Sequence, residues 1–434
     1  MKRTAIQKLI EWKQDSDKKP LILQGARQVG KTWLMKEFGR TNYKKIAYIS
    51  FEDDPTIQDI FSINLNPKRI LQDIEAVLKI RITPKDTLII FDEIQECPKA
   101  LTSLKYFNEN APEYDIICAG SLLGVTLHKN TSFPVGKVDF MYLYPLSFME
   151  FLDALGEDRL VNILKTLDFD NIKIFKDILS RYLRQYLYIG GMPEVVKDFI
   201  NKKDFINVRK IQKRILNSYE QDFSKHTDNN LVERIKMVWK SVHSQLAKEN
   251  QKFIYGALKP GGRAKEFELA IAWLRDSGLI YKIHRIKTPL LPLKFYEDFD
   301  VFKIFICDVG LLSTLCNVDS KILIDNSKIF KDFNGTLTEQ YVLQQLKTID
   351  EDIFYWSNET GKNEIDFMIQ SGENAVPIEA KAGINLKAKS LECYAKKYNP
   401  KFAIRTSLAD YKQKDYLYDV PLYAIEFFAR EILK

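Results

Sequence analysis

The chain has 434 residues and a formal net charge of +7, from 65 basic and 58 acidic residues. Its 45% hydrophobic and 28% charged residues are typical of a soluble globular protein, and its length predicts about two or three domains. No apolar run approaches the length of a membrane span, and no apolar stretch follows the basic start 1–3. We therefore expect neither a membrane span nor a secretory signal.

The cysteines and histidines show no pattern of a metal or disulfide site. There is no Cys-x-x-Cys pair, so we expect no zinc and no disulfide framework, and the scattered cysteines favour a reducing cytoplasm. The modest net charge permits nucleic-acid binding but does not indicate it. The cysteines are Cys97, Cys118, Cys307, Cys316 and Cys393, and the histidines are His128, His226, His243 and His284.

The first chemical motif, GARQVGKT, directly follows the apolar run 21–23. Backbone N–H groups of such a loop converge on a phosphate, and the following helix adds the positive end of its dipole. Lys31 is predicted to contact the β- and γ-phosphates, and the Thr32 hydroxyl to bind Mg²⁺. The motif therefore predicts a site for ATP and Mg²⁺, the alternative being a chance glycine turn. The predicted nucleotide-binding residues are Gly25, Ala26, Arg27, Gln28, Val29, Gly30, Lys31 and Thr32.

A second motif lies at the end of the buried-strand run 87–91, where Asp92 and Glu93 follow. Asp92 is predicted to orient Mg²⁺ through water and Glu93 to polarise the attacking water, although both carboxylates could instead cap the next helix. A third run, 115–119, leads to Ser121, which is either a γ-phosphate sensor or part of a plain turn. Because a dedicated base is useful only for chemistry, the two motifs together predict hydrolysis rather than nucleotide storage.

Strands alternate with amphipathic helices from about 2 to 151, which predicts a parallel sheet with helices on both faces. The nucleotide would then lie at the carboxyl ends of the strands. From about 150 to 222 the pattern is helical, and the sequence GGMP at 190–193 ends one helix and starts another. The predicted strands of the first sheet are 20–24, 45–51, 87–91, 115–119 and 137–143.

Helices followed by a short hairpin between about 230 and 306 predict a winged-helix-like module. A helix over 264–277 stops at Gly278, and strands are expected at 279–283 and within 294–306. Because no dense basic stripe marks this region, we favour a packing or protein-contact role over nucleic-acid binding.

The C-terminal region carries a second set of charged residues with chemical meaning. Asp366 and the Glu379-x-Lys381 pair on the next predicted strand have the spacing of a PD-(D/E)xK nuclease core, and Glu339 lies on the preceding helix. Alternation along the strand puts Glu379 and Lys381 on one face. Asp366 and Glu379, completed by Glu339, form a candidate second metal site, with Lys381 stabilising the attacking hydroxide. A binding-only core, or an ordinary surface Glu–Lys pair, is the alternative.

The ordered segments GARQVGKT, LIIFDEIQ, AGS, LYPLSFMEF, GGMPE, DVGL and EIDFMI…PIEAKA resemble a large family of prokaryotic AAA-type ATPases. Its members carry a C-terminal domain of unknown function with a restriction-endonuclease-like core, and the resemblance covers nearly the whole chain. It implies ATP binding but no settled substrate. Many members have an arginine where this chain has Lys137, which would be a weaker γ-phosphate sensor. Arg263 is an unsupported candidate for an arginine finger.

The expected fold class is α/β, with a P-loop parallel sheet, a helical and winged-helix-like region and a C-terminal restriction-endonuclease-like domain. We expect a Mg²⁺-dependent ATPase that couples hydrolysis to domain movement. The alternatives are an ATP-regulated, metal-dependent nuclease acting on DNA, and a nucleotide-gated interaction switch that hydrolyses slowly. A protein partner, nucleic-acid binding and the oligomeric state are left open. The predicted domains are 1–150 (ATPase), 151–228 (helical linker or lid), 229–325 (winged-helix-like) and 326–434 (nuclease-like).

Overall fold

The computed structural model of the chain forms two compact units, which we call the N-terminal unit and the C-terminal unit. The N-terminal unit comprises Arg3–Tyr144 and Ala272–Leu279, and the C-terminal unit comprises Met1–Lys2, Pro145–Ile271 and Ile280–Lys434. Ser121, His128 and His226 lie outside the described residues. The structure describes residues 1–53, 56–120, 133–224, 229–248, 251–320, 331–349, 352–384 and 388–432, with the backbone alone at 331–334.

The N-terminal unit contains the predicted parallel sheet. Its strands are β1 (Leu21–Gln24), β2 (Lys45–Ser50), β3 (Thr87–Asp92), β4 (Asp115–Ala119) and β5 (Asp139–Tyr142). All neighbouring pairs are parallel, in the order β2-β3-β4-β1-β5. The inner strands β3 and β4 are buried along their whole length, whereas β2 and β5 at the edges are partly exposed. The continuous apolar runs of the sequence therefore mark the centre of this sheet.

Helices cover the sheet and build the core of the N-terminal unit. Phe91 of β3 packs edge-to-face against Phe51 and Phe61, and Phe107 joins the same buried cluster. These aromatic contacts fix the end of β3, where the acidic motif begins. The helices are α1 (Ala5–Gln14), α2 (Lys31–Asn42), α3 (Thr56–Ile63), α4 (Pro67–Leu78) and α5 (Pro98–Asn110).

The first half of the C-terminal unit is helical, as predicted. One helix ends at Ile189 and the next begins at Pro193, so the GGMP sequence does separate two helices. The helices are α6 (Phe148–Ala154), α7 (Asp158–Lys165), α8 (Phe169–Ile174), α9 (Lys176–Ile189), α10 (Pro193–Lys202), α11 (Phe205–Asp222) and α12 (Asn229–Leu246).

An eight-stranded mixed sheet fills the second half of the C-terminal unit. Its strands are β6 (Ile280–Ile286), β7 (Glu297–Ile306), β8 (Ile353–Ser357), β9 (Glu364–Ser371), β10 (Asn374–Ala380), β11 (Ala403–Ser407), β12 (Lys412–Lys414) and β13 (Leu417–Pro421). The strand order is β12-β13-β11-β10-β9-β8-β6-β7. The remaining helices of the chain are α13 (Ala264–Asp276), α14 (Val309–Leu315), α15 (Lys331–Lys347), α16 (Lys389–Tyr398) and α17 (Ile425–Ile432).

The predicted hairpin is part of this sheet rather than a free wing. Strands β6 and β7 pair with each other, and β6 also pairs in parallel with β8. The domain boundary predicted between 325 and 326 therefore falls between neighbouring strands of one sheet. The second strand of the hairpin begins at Glu297, because a short 3₁₀ turn occupies Leu293–Tyr296. Within the part of the chain that the structure describes, no helix has the length and apolar character of a membrane span.

Candidate functional site

The GARQVGKT segment forms a loop between β1 and α2, at the carboxyl end of the first strand, as predicted. Gly25 has a φ of +138°, and a Cβ there would lie 2.2 Å from the Leu143 carbonyl oxygen. Only glycine fits this close approach of two backbones. Helix α2 begins at Lys31, directly after Gly30. The backbone therefore has the strand, loop and helix arrangement that phosphate binding requires.

Lys31 is buried inside this loop, with 7% of its surface exposed. Its Nζ donates hydrogen bonds to the carbonyl oxygens of Gly25, at 2.8 Å, and Ala26, at 3.0 Å. Burial lowers the pKa of Lys31 to about 8, although the Glu93 and Asp92 carboxylates act in the opposite direction. The Lys31 ammonium is thus desolvated and held by neutral backbone oxygens.

Arg3 contacts the phosphate loop, and the GARQVGKT motif does not predict this contact. Its guanidinium donates to the carbonyl oxygen of Val29 at 3.0 Å and to that of Tyr144 at 2.6 Å. It therefore ties the phosphate loop to the chain that follows β5. Because Arg3 lies 26 residues before Val29, no local pattern in the sequence indicates this contact.

The two nucleotide motifs meet at Asp92. Its carboxylate accepts hydrogen bonds from the Thr32 hydroxyl of the loop and, at 3.0 Å, from the Tyr48 hydroxyl. Burial raises the pKa of Asp92, and the hydrogen bonds from Thr32 and Tyr48 oppose that shift. The structure therefore brings together the hydroxyl and the carboxylate that were predicted to hold Mg²⁺, and it adds Tyr48 as their support.

Glu93 lies at the turn after β3 in an uncommon backbone conformation, with a φ of +49°. Its Oε2 accepts a hydrogen bond of 2.6 Å from Nε2 of Gln95, a buried residue. The prediction missed Gln95, although it follows the acidic pair by two residues within the same turn. Gln95 fixes the orientation of the Glu93 carboxylate beside the loop.

The structure gives no direct support to the other residues that were predicted to contact the γ-phosphate, which are Lys137, Ser121 and the candidate arginine finger Arg263. Lys137 pairs with Glu109 at 3.0 Å, so its ammonium already has an acidic partner. Arg263 is exposed at the start of α13. Ser121 is not among the described residues.

A further segment, Ala272–Leu279, packs on the phosphate loop and belongs to the N-terminal unit. Its Gly278 has a φ of +75°, and a Cβ there would lie 2.7 Å from the Ala26 nitrogen and 2.3 Å from the Tyr142 hydroxyl. A side chain at Gly278 would therefore push against the loop itself. The sequence indicated only that α13 stops there.

The C-terminal unit brings the predicted nuclease-like residues together. The Asp366 carboxylate accepts a 2.7 Å hydrogen bond from the Ala380 N–H, and Lys381 Nζ lies 2.6 Å from Glu379 Oε1. Burial, together with the Asp366 carboxylate, raises the pKa of both Glu339 and Glu379 to about 8. These four side chains therefore lie together at one site.

The same site contains three residues that the sequence analysis missed. Lys303 of β7 donates a hydrogen bond to the Glu364 carboxylate and lies 3.9 Å from Glu339 Oε2. Gln251 Nε2 donates to Glu339 Oε1 at 2.9 Å. Lys303 is a single charge within the apolar end of β7, and this exception to the pattern is the feature of the sequence that could have indicated its role. We call Lys303, Glu339, Glu364, Asp366, Glu379 and Lys381 the acidic centre.

A resident divalent cation does not fit the acidic centre as it is built. Among the described residues, no three His, Cys, Asp or Glu side chains converge as a ligand set for a metal ion. Two lysine ammonium groups lie among the carboxylates instead. The cation-binding role predicted for Glu339, Asp366 and Glu379 therefore stays a prediction.

The five-stranded parallel sheet, the loop between β1 and α2 and the contact of Thr32 with Asp92 define the class of the N-terminal unit. It has the strand, loop and helix arrangement of a P-loop nucleotide-binding domain. In agreement, residues 17–152 match the family model of an AAA domain. Residues 180–322 match a domain of unknown function (DUF8612), and residues 334–425 match another (DUF4143).

Solved structures similar to this chain have low sequence identity to it. A Walker-type ATPase of Pyrococcus abyssi is 15% identical, over 73% of this chain and 95% of that chain, with a TM-score of 0.43. The ORC1 protein of Aeropyrum pernix in complex with DNA is 12% identical, over 72% and 91%, with a TM-score of 0.28. AMPPCP-bound DnaA from Aquifex aeolicus is 15% identical, over 63% and 86%, with a TM-score of 0.29. These scores are too low to transfer a function. No curated protein sequence matches the chain.

Proposed function

We propose that the N-terminal unit binds Mg-ATP at the phosphate loop and hydrolyses it. The observation that carries this proposal is the hydrogen bond between Thr32 of the loop and Asp92 at the end of β3. A hydroxyl and a carboxylate in contact, beside a lysine at a helix N-terminus, suit a magnesium-bound phosphate chain.

Lys31 and the loop backbone would hold the phosphates. Lys31 Nζ now contacts two neutral carbonyl oxygens. Phosphate oxygens are stronger acceptors for a buried ammonium, because the hydrogen bond is then charge-assisted on both sides. Since Mg²⁺ keeps several waters and takes few protein ligands, Thr32 and Asp92 suffice beside the phosphate oxygens.

Glu93 would act as the general base for the attacking water. Its carboxylate lies close enough to Lys31 to raise the pKa of that lysine, which places it beside the phosphate loop. The hydrogen bond from Gln95 orients the Glu93 carboxylate, and a carboxylate in this position suits the removal of a proton from water. Bound Mg²⁺ would supply charge neutralisation on the phosphate oxygens.

We further propose that the nucleotide cycle moves the rest of the chain through the segment Ala272–Leu279. This segment belongs to the N-terminal unit, whereas the residues before and after it belong to the C-terminal unit. Gly278 lies against Ala26, so a shift of the loop on phosphate binding would displace this segment.

The proposal is tested by ATP turnover in the presence of Mg²⁺, with and without DNA. Glu93→Gln keeps the shape of the side chain but removes its charge, so it should retain nucleotide binding and lose about 100-fold or more in turnover. Glu96→Gln is the matched control, because Glu96 is an exposed carboxylate of the same turn. Equal turnover of Glu93→Gln and the parent would contradict the proposal, whereas turnover below that of slow GTPases in the parent itself would favour an interaction switch.

A further inference from the structure

Lys303 is the most deeply buried charge of the acidic centre, with 1% of its surface exposed. Its ammonium contacts Glu364, lies 3.9 Å from Glu339 Oε2 and lies 4.9 Å from the centre of the Tyr355 ring. Carboxylates and an aromatic face thus surround it, and both are favourable partners for a cation. A lysine so enclosed has no route to another partner without rearrangement of β7.

The carboxylates of the acidic centre require positive charge. Glu339, Glu364, Asp366 and Glu379 contribute four carboxylates, and Lys303 and Lys381 contribute two ammonium groups. Buried carboxylates that face each other repel unless a cation lies between them or protons are bound. Glu379 Oε2 and Glu339 Oε2 are buried, and neither accepts a hydrogen bond. Because the pKa of both groups is raised to about 8, these two carboxyl groups depend on bound protons near neutral pH and on the nearby ammonium groups once they ionise.

A divalent cation would have to share this space with Lys303. Mg²⁺ and Mn²⁺ bind oxygen ligands at about 2.0–2.2 Å, so the metal would approach the same carboxylates that the lysine contacts. The repulsion between a dication and a buried ammonium is weakly screened in a site of low polarity. Binding of the metal would consequently require the lysine to leave or to lose its proton.

We infer that Lys303 is the permanent internal cation of the acidic centre, so that the C-terminal unit holds these carboxylates together without a divalent metal. The inference does not rest on the ATPase proposal, because every residue involved belongs to the C-terminal unit. It predicts that the parent protein does not cleave DNA with Mg²⁺ or Mn²⁺. It also predicts that, once the lysine is removed, the Glu339, Asp366 and Glu379 carboxylates can move together around a divalent cation, although they form no ligand set in the parent.

The experiment is calorimetry of the nucleotide-free full chain with Mn²⁺ as the probe. The parent should show no Mn²⁺-dependent rise in the melting temperature of the C-terminal unit. Lys303→Met should bind Mn²⁺, with a rise of roughly 2–4 °C at a metal concentration about tenfold above Kd. Lys303→Met/Glu364→Gln should bind Mn²⁺ as well, because Glu339, Asp366 and Glu379 are still present. This double variant serves if the single variant does not fold.

Lys347→Met is the matched control, since Lys347 is another largely buried lysine of the C-terminal unit whose pKa is lowered by burial rather than raised by carboxylates. It should gain no response to Mn²⁺. A rise in the melting temperature of the parent that Asp366→Ala removes would overturn the inference, because a metal would then bind beside Lys303. Failure of both Lys303 variants to bind Mn²⁺ would also overturn it, because the carboxylates would then form no cation site.

Discussion

The phosphate-binding motif and the acidic centre each contain a buried lysine, yet the two lysines have opposite surroundings. Lys31 donates to two neutral carbonyl oxygens, and burial lowers its pKa to about 8. Lys303 is also desolvated, but Glu364, Glu339 and Asp366 outweigh that effect and raise its pKa above the ordinary range. Lys31 is therefore suited to an anionic ligand, whereas Lys303 is already paired with carboxylates of the protein.

This difference shows why a buried lysine beside carboxylates does not by itself indicate a ligand site. The direct contacts of the ammonium decide the outcome. Phosphate binding stabilises a desolvated ammonium that contacts only neutral oxygens. An ammonium in a carboxylate cluster would instead lose its ion pairs if another ion displaced it.

The largest expected effect concerns the stability of the acidic centre. Lys303→Met should lower the free energy of unfolding of the C-terminal unit by about 3–5 kcal/mol, because it leaves buried carboxylates without their counter-ion. Lys303→Met/Glu364→Gln should recover the part of this loss that comes from the direct ion pair with Glu364, whereas Glu339 and Asp366 still lack the ammonium. Chemical denaturation of the two variants and the parent measures both quantities. A single-variant loss below about 1 kcal/mol would show that Lys303 is not the required cation.

The second effect is the pH dependence of nucleotide affinity, which sharpens the contrast between the two lysines. A lysine with a pKa of about 8 is mostly protonated at pH 7, and the bound phosphates raise that pKa. The affinity for ADP or ATP should therefore fall about tenfold per pH unit above pH 8, because binding then requires uptake of a proton. Titrations between pH 7 and 9.5 measure it. A constant affinity over this range would mean that Lys31 stays charged in the free loop.

The smallest effect concerns Gln95. Gln95→Ala removes one hydrogen bond to a carboxylate, which is worth about 1 kcal/mol, so turnover should fall by roughly three- to tenfold. Nucleotide affinity should stay the same, because Gln95 acts on Glu93 rather than on the phosphates. Steady-state kinetics and calorimetry separate the two quantities. A parallel fall of affinity and turnover would instead indicate damage to the loop.

Much of the N-terminal unit could be predicted from the sequence, because its information is local. Continuous apolar runs fixed the inner strands, and the GARQVGKT and LIIFDE motifs placed Lys31, Thr32 and Asp92 at one edge of the sheet. What escaped were contacts between distant parts of the chain. Arg3, which precedes α1, contacts Val29, and Gly278, which follows α13, lies against Ala26. The hydrophobic periodicity of the sequence does not indicate contacts between residues so far apart.

The C-terminal unit was predicted in its parts but not in its assembly. The spacing of Asp366, Glu379 and Lys381 correctly indicated neighbouring strands. The hairpin of β6 and β7 was assigned to a separate winged-helix-like module, because a hairpin after helices does not reveal which sheet it joins. The hairpin joins the larger sheet through the pairing of β6 with β8, and this places Lys303 in the acidic centre. The ammonium of Lys303 then lies where a metal ion was predicted.

The most direct test of the contrast is a side-by-side titration of Mg-ATP into Lys31→Ala and Lys303→Met/Glu364→Gln. We expect Lys31→Ala to weaken Mg-ATP binding by about 100-fold, because it loses a charge-assisted contact of about 3 kcal/mol. The double variant should bind within about threefold of the parent, because the buried pair takes no part in nucleotide binding. Unchanged affinity in Lys31→Ala, or an equal loss in both proteins, would contradict the account.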